Sequence, residues 1–135
     1  MLTNVEHIGI AVRDIAASNE IFAKLLNVQP YKAETVASEG VNTSFFTVNQ
    51  TKIELLEATN PDSPIAKFLE KKGEGIHHIA FEVEDILAEM DRLRTEGFTV
   101  LNEVPKHGAD NKLVCFLHPK GTNGVLIELC QEIKE

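Results

Sequence analysis

Residues 5–13 alternate along an extended chain. Val5, His7, Gly9 and Ala11 fall on one side, and Ile8, Ile10 and Val12 on the other. This period of two predicts a strand with a small-residue face and a branched apolar face. Asp14 then offers an N-cap. Ile15, Ile21, Phe22, Leu25 and Leu26 recur at helical spacing, so a helix ending near Asn27 is expected. Strands are expected over residues 29–37, 43–49 and 51–57, with turns at Glu39-Gly40 and Asn49-Gln50. The first part therefore reads strand, helix, three strands.

Asn60-Pro61-Asp62-Ser63-Pro64 interrupts the pattern. Ser63 followed by Pro64 is a helix start, and Ile65, Phe68 and Leu69 give a short amphipathic helix stopped by Gly73 and Gly75. Residues 58–75 are read as a connection, after which the cycle repeats. A strand is expected over 76–84. A helix capped by Asp85 carries Ile86, Leu87, Met90 and Leu93 before Gly97, and strands are expected near 98–104, 112–118 and 124–131. Gly121-Thr122-Asn123-Gly124 reads as a hairpin turn. The expected fold is α+β. One domain, 1–135, would be made of two βαβββ modules (about 4–58 and 75–132) joined by a short helical connection, with a curved mixed sheet around one site.

The repetition is also literal. His7-Ile8-Gly9-Ile10-Ala11-Val12 with Asp14-Ile15 returns as His78-Ile79-Ala80-Phe81-Glu82-Val83 with Asp85-Ile86, and Ile53-Glu54-Leu55 returns as Ile127-Glu128-Leu129. The intervals are 71 residues from His7 to His78 and 74 from Glu54 to Glu128, which favours duplication over coincidence. Register then selects among the histidines. His78 shares its face with Ala80 and Glu82, as His7 does with Gly9 and Ala11. His77 shares its face with Ile79, Phe81 and Val83, the side expected under a helix. Glu54 and Glu128 each stand between two apolar neighbours that point to the helix side, so both carboxylates point the other way.

Carboxylates aimed into a sheet's interior need a partner or a metal. Two His and two Glu suit a divalent transition metal with an open coordination position, and Zn, Co, Ni, Mn and Fe are all compatible. The absence of Cys ligands weakens a purely structural zinc site. Cys130 shares the face of Glu128 and is read as a small buried residue.

Composition narrows the function classes. The chain has 135 residues, 43% hydrophobic, with a formal net charge of −8. That balance argues against general nucleic-acid binding and against an anionic membrane surface. No apolar run approaches the roughly 18 residues of a membrane span, and the N-terminal residues lack the pattern of a signal peptide. Two cysteines, Cys115 and Cys130, make no disulfide framework, so reduced thiols and a cytoplasmic location are expected. Lys106, His107, Lys112 and Lys120 form the one suggestive basic set, and no glycine-rich phosphate loop is present.

Across essentially its whole length the chain resembles the vicinal oxygen chelate (glyoxalase/bleomycin resistance/dioxygenase) superfamily, whose members pair βαβββ modules around one metal. Within it the chain is most similar to the methylmalonyl-CoA epimerase family. The phrases that carry this are His7-Ile8-Gly9-Ile10-Ala11-Val12, Glu39-Gly40-Val41, Ile53-Glu54-Leu55-Leu56, Asp62-Ser63-Pro64-Ile65-Ala66-Lys67-Phe68-Leu69, Gly75-Ile76-His77-His78-Ile79, and His118-Pro119-Lys120 with Gly124-Val125-Leu126-Ile127-Glu128-Leu129. The strand phrases specify the fold. The segments at 62–69 and 118–129 are the more epimerase-like parts.

The resemblance implies metal ligands at His7, Glu54, His78 and Glu128, and Glu54 takes a position that is Gln in some family members. It implies one divalent ion per chain, Co2+ first, with Zn2+, Ni2+ and Mn2+ also admitted. It further implies a homodimer and an acid/base pair of Glu39 and Glu128. These would interconvert (R)- and (S)-methylmalonyl-CoA by 1,1-proton transfer through a metal-stabilised enolate. Phosphate contacts to the coenzyme A portion are implied by the family alone, and the residues making them are not readable. The counterpart of Glu39 in the second half is expected at His107, by position before a glycine.

Two other readings stay open. A glyoxalase I-type lactoylglutathione lyase uses a similar two-carboxylate site, but Asn19-Glu20-Ile21-Phe22 lacks the signature familiar from glyoxalases. A non-catalytic binding protein of the same fold would not generally keep all four ligands.

Overall fold

The computed structural model describes residues 1–134. Its elements run β1 (Leu2–Ala11), α1 (Ile15–Leu26), β2 (Lys32–Val36), β3 (Val41–Val48), β4 (Thr51–Ala58), α2 (Pro64–Lys72), β5 (Gly75–Val83), α3 (Ile86–Thr95), β6 (Lys106–Gly108), β7 (Lys112–Leu117) and β8 (Ile127–Glu132). The strands pair in both parallel and antiparallel fashion, so the chain is α+β with mixed pairing. The βαβββ order occurs twice, on either side of α2. The chain divides into two compact units. One is His7–His77, and the other combines Met1–Glu6 with the chain from His78 onward.

In the His7–His77 unit the strand order is β2-β3-β4-β1. The β2/β3 and β3/β4 pairs are antiparallel, and β1 is parallel to β4. Alternation along the strands sorts two cores. Val12, Phe46 and Leu55 pack with Ile15, Phe22 and Leu26 of α1. Ala11, Val41 and Leu56 pack with Ile65 and Leu69 of α2. Leu55 and Leu56 are chain neighbours yet serve opposite faces, as a period of two requires. Phe46 and Leu55 are fully buried, each worth roughly 1.5–3 kcal/mol.

The predicted caps form. Asp14 accepts from the Ala17 N–H, and α1 ends at Asn27 in a left-handed conformation, φ 58°. Ser63 accepts from the Ala66 N–H ahead of Pro64 in the first turn of α2. A second device adds to the first: Glu57 Oε2 on β4 accepts from the Ile15 N–H at 2.9 Å.

In the other unit the order is β5-β8-β7-β6, with β5 parallel to β8 and β7 antiparallel to both of its neighbours. The Met1–Glu6 stretch joins β5, where Glu84 N–H donates to Met1 O and Thr3 Oγ1 to Glu82 O. Ile86, Met90 and Leu93 of α3 pack on Val83, Cys115, Leu117 and Leu129. Asp85 accepts from the Ala88 N–H. Gln131 Oε1 accepts from the Ile86 N–H at 2.7 Å, in the same role that Glu57 has for α1.

Two expectations are corrected. Residues 98–104 do not form a strand; among the described residues Val100 makes a single bridge, to Leu117. Leu101 N–H reaches Phe116 O, but the Asn102 side chain then takes the Phe116 N–H at 3.0 Å, and Pro105 has no N–H to continue a ladder. The strand of this segment is the short β6. Residues 121–124 are not a simple hairpin turn either. A 3₁₀ turn, Pro119–Thr122, precedes Asn123 (φ 57°) and Gly124 (φ 86°), and His118 Nδ1 accepts from the Lys120 N–H at its start.

Candidate functional site

Each unit builds the same diagonal. In the first, Gly9 stands opposite Glu54 on the parallel β1/β4 pair, and His7 lies two residues before Gly9 on the same face. In the second, Ala80 stands opposite Glu128 on the parallel β5/β8 pair, with His78 two residues before it. The small residue opposite each carboxylate leaves space for the imidazole to lean across. His7 Nδ1 is 3.1 Å from Glu54 Oε2, and His78 Nε2 is 3.0 Å from Glu128 Oε1. All four residues are buried, at 4–6% exposure. The register argument for His78 over His77 holds, since His77 instead meets Phe68 of α2 edge-on at 5.0 Å.

A third strand completes the pattern. Phe45 on β3 stands opposite Glu54, and Phe116 on β7 stands opposite Glu128. His78 meets Phe116 edge-on at 6.1 Å. Lys32 Nζ lies 5.3 Å from the Phe45 ring centre and Lys106 Nζ 5.8 Å from that of Phe116. Each carboxylate thus has an aromatic wall with a cation above it. The sequence carries a signal for this in the echo of Ser44-Phe45-Phe46 by Cys115-Phe116-Leu117.

The donors in each pair fit a divalent ion. With metal–ligand bonds of about 2.1 Å, neighbouring donors on one ion sit roughly 3.0–3.4 Å apart, between octahedral and tetrahedral angles. Imidazole nitrogen and carboxylate oxygen are suitable ligands for a first-row divalent metal. A desolvated carboxylate also calls for compensating positive charge. Cys130 is engaged otherwise: its Sγ donates to Phe81 O at 3.6 Å, and it packs with Ala80 and Val114. Burial, and secondarily the Glu128 charge, push the Cys115 thiol up to about 11.

Glu39 is half-buried at the end of a 3₁₀ turn, Ala37–Glu39, and Gly40 follows in a left-handed conformation, φ 62°. A Cβ on Gly40 would fall 2.7 Å from Ser63 Cβ and 2.9 Å from Asn60 Nδ2. The Thr59 N–H donates to Gly40 O at 2.9 Å. The Glu39 turn is therefore clamped against the loop that starts α2, and only glycine fits beside it.

The expected counterpart at His107 is not the right one. Val36 pairs with Val41, which pairs with Ala58; Gly108 pairs with Lys112, which pairs with Glu132. The turn bearing Glu39 therefore corresponds to Ala109–Asn111, and His107 corresponds to Thr35. Gly108 is extended, and a Cβ there would fall 2.9 Å from Val114 Cγ1, so its glycine answers close packing on β7 rather than a turn.

The suggested basic set does not act as one cluster. Lys112 is buried opposite Glu132, Lys106 lies over Phe116, and Lys120 sits in the 3₁₀ turn before β8. Among the described residues no helix is long and apolar enough to cross a membrane.

Residues 6–116 match the family described as glyoxalase/bleomycin resistance protein/dioxygenase superfamily. The chain is 46% identical over 133 residues to an ethylmalonyl-CoA/methylmalonyl-CoA epimerase of Cereibacter sphaeroides, covering 97% of this chain and 99% of that protein. It is 40% identical over 131 residues to the mitochondrial methylmalonyl-CoA epimerase of Homo sapiens, covering 96% of this chain and 74% of that one. Among solved structures, a Streptomyces coelicolor methylmalonyl-CoA epimerase variant in complex with 2-nitronate-propionyl-CoA is similar with a TM-score of 0.95. It is 35% identical, and the match covers 99% of this chain and 100% of that one.

Proposed function

The chain belongs to the glyoxalase/bleomycin resistance protein/dioxygenase superfamily, and on that premise we propose that it is a methylmalonyl-CoA epimerase. The observation that carries the reading is the repeated His–Glu diagonal, which supplies two imidazoles and two carboxylates in a chain 46% identical to a named epimerase. In this reading His7, Glu54, His78 and Glu128 hold one divalent ion, cobalt first. A divalent ion held there would supply Lewis-acid positive charge that makes C2 of the substrate acidic enough to lose its proton.

The chain's own groups move that proton. Glu39 takes it from one face of C2, and Glu128 delivers a proton to the other; the roles reverse for the opposite epimer. Clamping by Gly40 and Ser63 fixes the direction from which the Glu39 carboxylate approaches. Phe45 and Phe116 keep water from one side of each ligand pair. Location in the cytoplasm and assembly as a homodimer are parts of the same reading.

The test is exchange at C2 of methylmalonyl-CoA in heavy water, with and without chelator. Exchange that stops with chelator and returns with Co2+ is the expected result. Turnover of the hemithioacetal of glutathione in its place would favour the glyoxalase reading. Stoichiometric ligand binding without turnover of either would mark a binding protein.

A further inference from the structure

α1 and α3 start from matching caps, Asp14 and Asp85, but meet water differently. α1 carries Ile15, Ile21, Phe22, Leu25 and Leu26 in twelve residues, yet its one buried residue is Ser18. α3 has fewer apolar residues and buries Ile86, Glu89, Met90 and Leu93. The surplus on α1 lies outside: Ile21 is 61% exposed, Leu25 69% and, just past the helix, Val28 41%. Counted from the caps, Ile21 corresponds to Arg92 and Leu25 to Glu96, both exposed. The second helix therefore shows charge to water where the first shows hydrocarbon. Exposed Ala17, Ile21 and Leu25 follow one another at steps of four, and Val28 comes three later, so they form one stripe along the helix. A continuous apolar stripe of this kind marks a surface that a partner covers.

The charges beside the stripe identify the partner. Glu20 and Lys24 flank it, both exposed, and neither is ion-paired with a charged group of the described residues. They stand four residues apart, about 6 Å along the axis. A two-fold axis crossing the stripe near Ile21 runs two copies of α1 antiparallel. Each flank then stays on its own side, so Glu20 comes to the partner's Lys24, and Lys24 to the partner's Glu20. The same axis stacks Ile21 on the partner's Ile21 and seats the large Leu25 over the partner's small Ala17. A parallel arrangement would set Glu20 against the partner's Glu20. Net charge points the same way. Two chains of −8 repel each other, and this face, with one acid and one base, adds no further repulsion where the copies touch.

We propose that the outward face of α1 is the contact between two copies of this chain, paired antiparallel through Ala17, Ile21, Leu25 and Val28 with reciprocal Glu20–Lys24 ion pairs. This rests on the homodimer that belongs to the functional reading and names its surface. Sedimentation equilibrium of the full chain over a wide concentration range tests it. Ile21→Arg/Leu25→Glu, which copies the charges of α3, should raise the dimer dissociation constant about a hundredfold or more with the circular dichroism spectrum and urea midpoint of a folded monomer. Leu87→Glu, at an exposed apolar position of α3, should leave the dimer intact.

The charges give a second and independent measurement. Lys24→Glu sets two acids together on each flank and should weaken the dimer about tenfold, more at low salt than at high. Glu20→Lys/Lys24→Glu exchanges the signs on both copies and should restore it. A dimer indifferent to Ile21→Arg/Leu25→Glu, or a double charge exchange no tighter than Lys24→Glu alone, overturns the proposal and leaves the homodimer standing. An unsubstituted protein that stays monomeric throughout overturns both. Neither result bears on C2 exchange in heavy water, so the epimerase reading stands or falls separately.

Discussion

The two His–Glu pairs are alike in how the strands place them and unlike in the turn before the third strand. Both put an imidazole two residues before a small residue that faces a glutamate, and both stand a phenylalanine on the far side of that glutamate. Yet His7 turns Nδ1 to its carboxylate and His78 turns Nε2. The turn Ala37–Glu39 with Gly40 carries Glu39 just before a left-handed glycine, while its counterpart Ala109–Asn111 is one residue shorter and carries the shorter acid Asp110, itself left-handed at φ 59°. The lesson is a division of labour. The strands, which hydrogen-bonded register constrains, keep the His–Glu pairs. The turns, which register does not constrain, are free to differ, and an inversion of configuration needs a difference between the two sides of the carbon.

The largest effect should come from that difference. Glu39→Gln should slow C2 exchange by roughly 10²–10⁴ without changing metal content, whereas Asp110→Asn, at the corresponding turn, should leave exchange nearly unchanged. Comparable losses from both would show that the turns are equivalent after all. Isotope exchange and metal analysis of the two proteins decide it.

A smaller effect should distinguish Cys115 from Ser44, which occupy matching positions opposite Leu129 and Leu55. The Cys115 thiol is raised from 9.0 to about 11. Above pH 9 an unfolded chain loses this proton while the folded one keeps it, so stability falls as pH rises through that window and levels off above 11. The total loss should be on the order of 3 kcal/mol. Cys115→Ser, which copies the first half, should remove this fall in urea titrations between pH 8 and 11. A persistent fall would assign it to other groups.

The smallest effect concerns the helix starts. Glu57 brings a negative charge to the first N–H of α1, and Gln131 brings a neutral amide to that of α3. Glu57→Gln should cost about 0.3–1 kcal/mol, and Gln131→Glu should stabilise by a similar amount. Both are read from denaturant midpoints at low salt, and the contrast should shrink in high salt.

The two buried His–Glu pairs were legible because they rest on alternation and repetition, both of which are properties of short stretches of chain. His78 was separable from His77 for the same reason. Phe45, Phe116, Glu57 and Gln131 were not read, since their roles arise from neighbours on other strands. The strand expected at 98–104 failed because Asn102 replaces a backbone partner, which apolar periodicity does not register. His107 was matched to Glu39 by a following glycine. Gly40 and Gly108 differ in what makes them glycine, however: Gly40 needs a positive φ as well as close approach to Ser63, whereas Gly108 is extended and needs only close packing on Val114.

The division of β1 has a consequence for how this chain can be cut. Its first residues, Met1–Glu6, belong to the unit formed from His78 onward, while His7 begins the other. A gene split in the α2 connection would therefore not yield two autonomous products. The N-terminal fragment would carry a segment belonging to the fold of its sibling, and the sibling would lack a strand. Such fragments should be soluble and competent only when co-expressed, exchanging that segment as a handle. A two-hybrid or split-reporter design could exploit this dependence directly.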